Sequence, residues 1–203
     1  MKIATSILSA KSFKEKLGVI EKLNSSDTDY IHFDVMDGKF VSNKSLCIPE
    51  LVKLIKASTK KNEVHLMVEN PMKYIEQIKN LNVDRIIVHV EINQALNKII
   101  DYIKSNNINV GLAIDLNTNI DYVKPYLKKI DLLLIMSVKA GKGGQQFQTQ
   151  VLDKIKKIPD NIKLEFDGGI NDETVKFIKF ADTAVSGTYI LENIEENIRK
   201  LKR

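Results

Sequence analysis

The sequence predicts an α/β fold in one compact domain, a (β/α)8 barrel of the TIM type. Three observations carry this. Eight short aliphatic or β-branched runs alternate with longer amphipathic runs along the whole chain; 203 residues suit one domain; and the chemically interesting side chains gather at the ends of the short runs. The competing architecture is an open doubly wound sheet. A count of eight favours the closed barrel, although 203 residues lies near its lower size limit. No Gly-x-Gly-x-x-Gly follows the first run, which counts against a dinucleotide-binding sheet.

Residues 3–8 read as the first strand, and Phe13, Leu17 and Ile20 then recur at helical spacing. The second strand covers 30–35 and the third 63–67. Asn70-Pro71 reads as an N-cap with proline at the first helical position, leading into a face of Ile75, Ile78 and Leu81. Strands four to six cover 85–90, 109–114 and 132–138. Val151, Ile155 and Ile158 form the next helical face, followed by strands at 162–166 and 183–186. Ile194, Ile198 and Leu201 mark the last helix. Each strand is thus expected to be followed by a helix, with one domain covering residues 1–203.

Composition excludes several classes. Hydrophobic residues make up 43% and charged residues 28%, which is ordinary for a globular chain and argues against disorder or a fibre. A chain this long buries about 70% of its unfolded surface and needs no disulfides. Cys47 is the only cysteine, so no intrachain disulfide forms and a reducing, cytoplasmic setting fits. The longest clean apolar run, at 132–136, is far too short to span a bilayer, so no membrane role is expected. The run at 2–8 is broken by Thr5 and Ser6 and reads as mature protein rather than a secretory signal. The net charge of +5 suits an anionic ligand but equally a lysine-rich soluble surface. Basic residues at 199–203 complement a helix C-terminus. No arginine-rich stretch carries interleaved aromatics, so nucleic acid is not an expected partner.

A barrel of this kind builds its active site at the C-terminal ends of its strands. The second strand ends in His32-Phe33-Asp34-Val35-Met36, and strand alternation points His32, Asp34 and Met36 to one side. His65 and Met67 share a face at the end of the third strand, and Asp167 ends the seventh. Two imidazoles and two carboxylates, from His32, Asp34, His65 and Asp167, make a four-ligand set for a divalent metal. Mixed nitrogen and oxygen ligation suits zinc, iron(II), manganese or cobalt better than calcium. The bland alternative leaves each histidine as a satisfied polar group near a strand end.

A second cluster reads as a phosphate site. Strand six runs into Lys139-Ala140-Gly141-Lys142-Gly143-Gly144-Gln145, strand seven into Gly168-Gly169, and strand eight into Gly187-Thr188. Each glycine group alone is weak evidence, since turns use glycine routinely. Together on one rim they offer converging backbone N–H groups to an anion.

With these residues in place, the sequence resembles the ribulose-phosphate 3-epimerase family. The likeness runs through Ala4-Thr5-Ser6-Ile7-Leu8-Ser9, His32-Phe33-Asp34-Val35-Met36-Asp37-Gly38-Lys39-Phe40-Val41, His65-Leu66-Met67-Val68-Glu69-Asn70-Pro71, His89-Val90-Glu91, Met136-Ser137-Val138 and Asp167-Gly168-Gly169-Ile170-Asn171, in order. The resemblance implies interconversion of D-ribulose 5-phosphate and D-xylulose 5-phosphate. Asp34 and Asp167 would be the paired acid and base at C3, acting through a metal-stabilised ene-diolate. It implies one divalent metal per subunit, zinc first, on His32, Asp34, His65 and Asp167. Substrate contacts would come from Ser6, His65, Gly141, Lys142, Gly143, Gly144, Asp167, Gly168, Gly169, Gly187 and Thr188, under an apolar lid of Met36, Met67 and Met136. Ser6 would hydrogen-bond the substrate or an aspartate, and His89 and Glu91 would play a supporting part behind the ligands. A homo-oligomer is implied as well. The sequence departs from the family at Thr5 and Ser42, where proline is usual, at Asp115-Leu116-Asn117-Thr118, and in the loop 139–145, where Lys142 replaces phenylalanine. An allulose 6-phosphate epimerase would use the same residues. A related sugar-phosphate lyase, or a barrel that only binds a phosphorylated ligand or RNA, ranks below these.

Overall fold

A computed structural model describes all residues, Met1–Arg203. Eight parallel strands close on themselves in sequence order: β1 (Lys2–Ser6), β2 (Tyr30–Met36), β3 (Lys61–Met67), β4 (Arg85–His89), β5 (Asn109–Ile114), β6 (Leu132–Met136), β7 (Leu164–Asp167) and β8 (Thr183–Ser186). β1 pairs with both β2 and β8, so the sheet has no free edge.

The strands are buried almost throughout because both of their faces are covered. One set of side chains packs outward against the helices, in a layer that includes Ile31, Phe33, Val64, Leu66, Ile86 and Val88. The alternate set fills the barrel, where Ala4, Tyr30, Ile87, Ala113, Leu132, Leu134, Met136, Val138 and Val185 form a separate small core. Gly111 belongs to this inner wall, and a Cβ there would meet Ile87 Cγ1 at 2.8 Å.

Seven α-helices cover the outside: α1 (Phe13–Ser25), α2 (Ile48–Ala57), α3 (Pro71–Ile78), α4 (Leu96–Ser105), α5 (Leu152–Ile155), α6 (Thr188–Glu192) and α7 (Ile194–Lys202). α1 starts with a reciprocal cap, the Ser12 hydroxyl accepting from the Glu15 N–H while Glu15 accepts from the Ser12 N–H. Asn70 and Pro71 stand at the N-cap and first position of α3 as their sequence suggests, but the Asn70 side chain makes no capping bond.

The expectation of a helix after every strand is corrected at two places. Between β5 and β6 the chain forms only 3-10 turns (Ile120–Tyr122 and Lys124–Lys129), where Pro125 removes a donor. Between β7 and β8 there is only the 3-10 turn Val175–Ile178. The face at 151–158 shrinks to a 3-10 turn and the single turn of α5. Strands also end earlier than their apolar runs: Ile7, Leu8 and Val138 lie past the ends of β1 and β6, in the connections at the mouth. No helix is long and apolar enough to cross a membrane.

Candidate active site at the barrel mouth

Strand register explains how residues from distant parts of the chain meet. His32 of β2 lies beside Glu63 of β3, which lies beside Arg85 of β4. One rank nearer the mouth, Asp34 lies beside His65, and above that Met36 lies beside Met67. Asp167, at the end of β7, pairs with Met136 on one side and Val185 on the other.

The four expected ligands converge. One ligand atom from each of His32, Asp34, His65 and Asp167 lies within 4.8 Å of all the others. His32 Nε2 is 3.3 Å from Asp34 Oδ1 and 3.9 Å from Asp167 Oδ2. His65 Nδ1 is 3.3 Å and 3.6 Å from the same two oxygens. Both histidines are fully buried, whereas the Asp34 and Asp167 side chains are 5% and 15% exposed, so the cluster opens to solvent through its two carboxylates.

His65 Nδ1 is buried with no hydrogen-bond partner, although it faces two carboxylates. An unpartnered buried nitrogen costs free energy that a bound cation would recover. The donor set is two nitrogens and two oxygens, with an open side for substrate, and it suits a first-row divalent ion. The four groups act on one another. Burial alone would push Asp34 up, but His32, seconded by His65, outweighs it and holds the carboxyl well below its usual range. Burial would also lower His32 and His65, yet the surrounding acids raise both above the ordinary imidazole range.

Each histidine is backed on its far side. His32 Nδ1 lies 2.6 Å from Glu63 Oε1. His65 Nε2 lies 2.9 Å from His89 Nε2, and His89 Nδ1 lies 3.0 Å from Glu91 Oε2. Glu91 in turn accepts the Asp115 N–H. Burial keeps His89 below the usual imidazole range. Glu91 is lowered to about 2 against the pull of its own burial, chiefly by its hydrogen bond with His89. Ser6 Oγ donates to Asp34 Oδ2 at 2.6 Å, leaving Oδ1 for the ligand cluster.

Above the cluster lies a cavity of about 540 Å³. Its lining includes Ser6, Asp34, Asp167, all three methionines, and every glycine expected from the loops, together with Lys142 and Thr188. Met36, Met67 and Met136 are at most 3% exposed and form its inner wall. His65 does not line the cavity; it is fully buried and turns Nδ1 toward the ligand cluster. Lys142 is the only cation in the lining, against the acids Asp34, Asp167, Glu173 and Glu192. Gln145 Nε2 donates to the carbonyls of Lys139 and Lys142 and so braces the loop in which Lys142 sits. Across the mouth, Asn43 Nδ2 donates to the Gly141 carbonyl and the Phe40 ring packs 4.9 Å from His89. Residues 37–47 thus strap the β2 side to the β6 side.

Sequence reasoning overlooked Glu63, Arg85 and Glu165, along with the cavity residues Gln146, Thr174 and Tyr189. The first three were within reach of strand alternation. Glu63 is two residues before His65, Glu165 two before Asp167, and Arg85 four before His89, so each shares the inward face. Extending the alternation down the strand, away from the mouth, would have found them.

A family model for the ribulose-phosphate 3 epimerase family matches residues 2–191. Proteins named ribulose-phosphate 3-epimerase are similar over most of the chain. The Helicobacter pylori J99 protein is 36% identical, covering 98% of this chain and 94% of that protein. The Bacillus subtilis protein is 34% identical, with 88% and 85% covered, and the Synechocystis protein 37%, with 83% and 76% covered. Among solved structures, 3-hexulose-6-phosphate synthase from Salmonella typhimurium superposes with a TM-score of 0.72 at 14% identity, covering 99% of this chain and 96% of that one. A tryptophan synthase α-subunit mutant from Pyrococcus furiosus gives 0.75 at 13%, with 99% and 97% covered. At such identities these two share the barrel fold.

Proposed function

The chain belongs to the ribulose-phosphate 3-epimerase family, and from that premise we propose that its barrel mouth interconverts D-ribulose 5-phosphate and D-xylulose 5-phosphate by moving a proton at C3. The chain is an epimerase, an isomerase acting on carbohydrates. The observation that carries the reading is the convergence of Asp34 and Asp167, from strands separated around the barrel by β8 and β1, on one shared cluster beneath an open cavity.

Inverting a carbon next to a carbonyl requires removal of a proton from one face and return of a proton to the other. Two carboxylates flanking the reacting carbon do this with no large movement of either. Asp34, oriented by Ser6, takes or returns the proton on one face, and Asp167 serves the other. The planar ene-diolate between them is flanked by Met36, Met67 and Met136, whose apolar surfaces limit water and stray protonation. His32, Asp34, His65 and Asp167 would hold a divalent cation, zinc before iron(II), manganese or cobalt. When bound, that cation supplies positive charge that acidifies the C–H bond and offsets the negative charge developing on the substrate oxygens.

The phosphate sits at the glycine-lined end of the cavity, against the backbone of Gly141, Gly143, Gly144, Gly168, Gly169, Gly187 and Thr188, with Lys142 as counter-charge. A cytoplasmic setting and assembly into a homo-oligomer complete the reading.

The test supplies ribulose 5-phosphate to zinc- or cobalt-loaded protein in D2O. Deuterium is expected at C3 as xylulose 5-phosphate forms. Exchange only with a hexulose phosphate would reassign the substrate, and exchange with neither would refute the reading.

A further inference from the structure

Beneath the ligand cluster the barrel holds a second, buried group of charges. Glu63 and Glu165 are both completely buried, and Arg85 is 7% exposed. Arg85 Nη1 donates to Glu63 Oε2 and, at 2.6 Å, to Glu165 Oε2 on the far wall. Its Nη2 reaches the Tyr30 hydroxyl at 3.4 Å, and its guanidinium lies 4.9 Å from the Tyr30 ring centre. His32, Glu63 and Glu165 are close enough together to hold a metal ion by themselves. The Arg85 guanidinium is bonded to both carboxylates, so the positive charge such a trio needs is already supplied by the chain.

This arrangement has a directional consequence. Both Glu63 oxygens are committed, Oε2 to Arg85 and Oε1 to His32 Nδ1. A carboxylate clamped in this way accepts a hydrogen bond from Nδ1, so the imidazole carries its proton there. The Nε2 lone pair is then left facing Asp34 and Asp167. We propose that Glu63, clamped by Arg85, is a positioning residue that fixes the His32 tautomer and ring orientation so that Nε2 is presented to a divalent cation. Glu63 touches neither substrate nor reacting atoms; it acts through His32. The inference rests on the cation reading given above.

The experiment compares two double variants of the full chain with the same change in charge. Arg85→Met/Glu63→Gln keeps an acceptor oxygen beside His32, whereas Arg85→Met/Glu63→Met removes it. Each is titrated with cobalt(II) in competition with a chelator, visible absorption is recorded, and folding is monitored by circular dichroism. The glutamine pair is expected to bind cobalt(II) within about threefold of the unaltered protein and with a similar spectrum. The methionine pair is expected to lose roughly 10–100-fold in affinity with altered bands, while remaining folded. Equal affinities and matching spectra in the two folded variants would overturn the proposal. If either double variant does not fold, Glu63→Asp with Arg85 retained replaces the pair, since a side chain one methylene shorter draws the carboxylate back from both Arg85 and His32. A loss of about tenfold then supports positioning, and unchanged affinity and spectrum overturn it. Failure of the unaltered protein to bind cobalt(II) or zinc(II) would instead refute the cation reading itself, which keeps the two failures distinct.

Discussion

Single residues divide the work at the mouth by chemistry and by placement. Asp34 and Asp167 both reach the ligand cluster, yet of their two carboxylates only that of Asp34 accepts from a serine hydroxyl. Asp34→Asn and Asp167→Asn are each expected to lower kcat by at least about 10³-fold, measured by coupled assay, because under the proposed mechanism each removes a proton-transfer group. Lys142 has a different task. It is the single cation in a cavity lined by four acids, and in the proposed function it serves the phosphate rather than the reacting carbon. Lys142→Gln is expected to raise KM by about tenfold with kcat little changed, the mark of lost ground-state binding. Glu91 lies outside the chemistry, and its effect is on stability. Its folded pKa of about 2 lies below the ordinary carboxyl value of 4.5. A depressed carboxylate stabilises the fold fully above about pH 4.5, and the contribution disappears as pH falls from there to 2. The shift corresponds to roughly 3 kcal/mol. Denaturant unfolding of Glu91→Gln should therefore show a deficit of up to that size at neutral pH, shrinking toward zero near pH 2.

Elements matter here through their ends. The turn after β7 brings Gly168 and Gly169 to the cavity, and Gly169 has φ of +67°. A Cβ at Gly169 would lie 2.3 Å from the Phe147 backbone nitrogen and 2.8 Å from the Gln145 carbonyl. Two backbone segments would have to separate, so Gly169→Ala is expected to cost at least about 2 kcal/mol in chemical denaturation and to weaken phosphate binding. Ser137 holds the same turn from β6, its hydroxyl donating to the carbonyls of Asp167 and Gly168. Most of these turns were legible because glycine clusters directly after apolar runs announce them. The 3-10 segments were not, because the periodic apolar residues of an amphipathic helix also serve a looser turn that merely covers the barrel. At 149–158 the face is real, since Val151 and Ile158 are buried, but only one α-turn forms within it.

For the whole molecule, the barrel's inner wall carries four groups, His32, Asp34, His65 and Asp167, close enough together to hold one cation. A cation that binds only the folded state stabilises it by mass action, by about 2.7 kcal/mol at a hundredfold excess over Kd. In a domain of this size that corresponds to a rise in Tm of roughly 5–10 °C, reversed by chelator and readable by calorimetry. Short aliphatic and β-branched runs by themselves determined that eight strands exist, and strand alternation placed His32, Asp34, His65 and Asp167 at their mouth-facing ends, because both are local properties of extended chain. Only closure of the barrel decided that Arg85 of β4 bridges Glu63 to Glu165 of β7, 80 residues further on. Closure likewise decided that His32 turns Nε2, and His65 Nδ1, toward the same point. Contacts across the interior depend on strand tilt and relative register, which arise when all eight strands pair at once, and no local stretch of sequence encodes them.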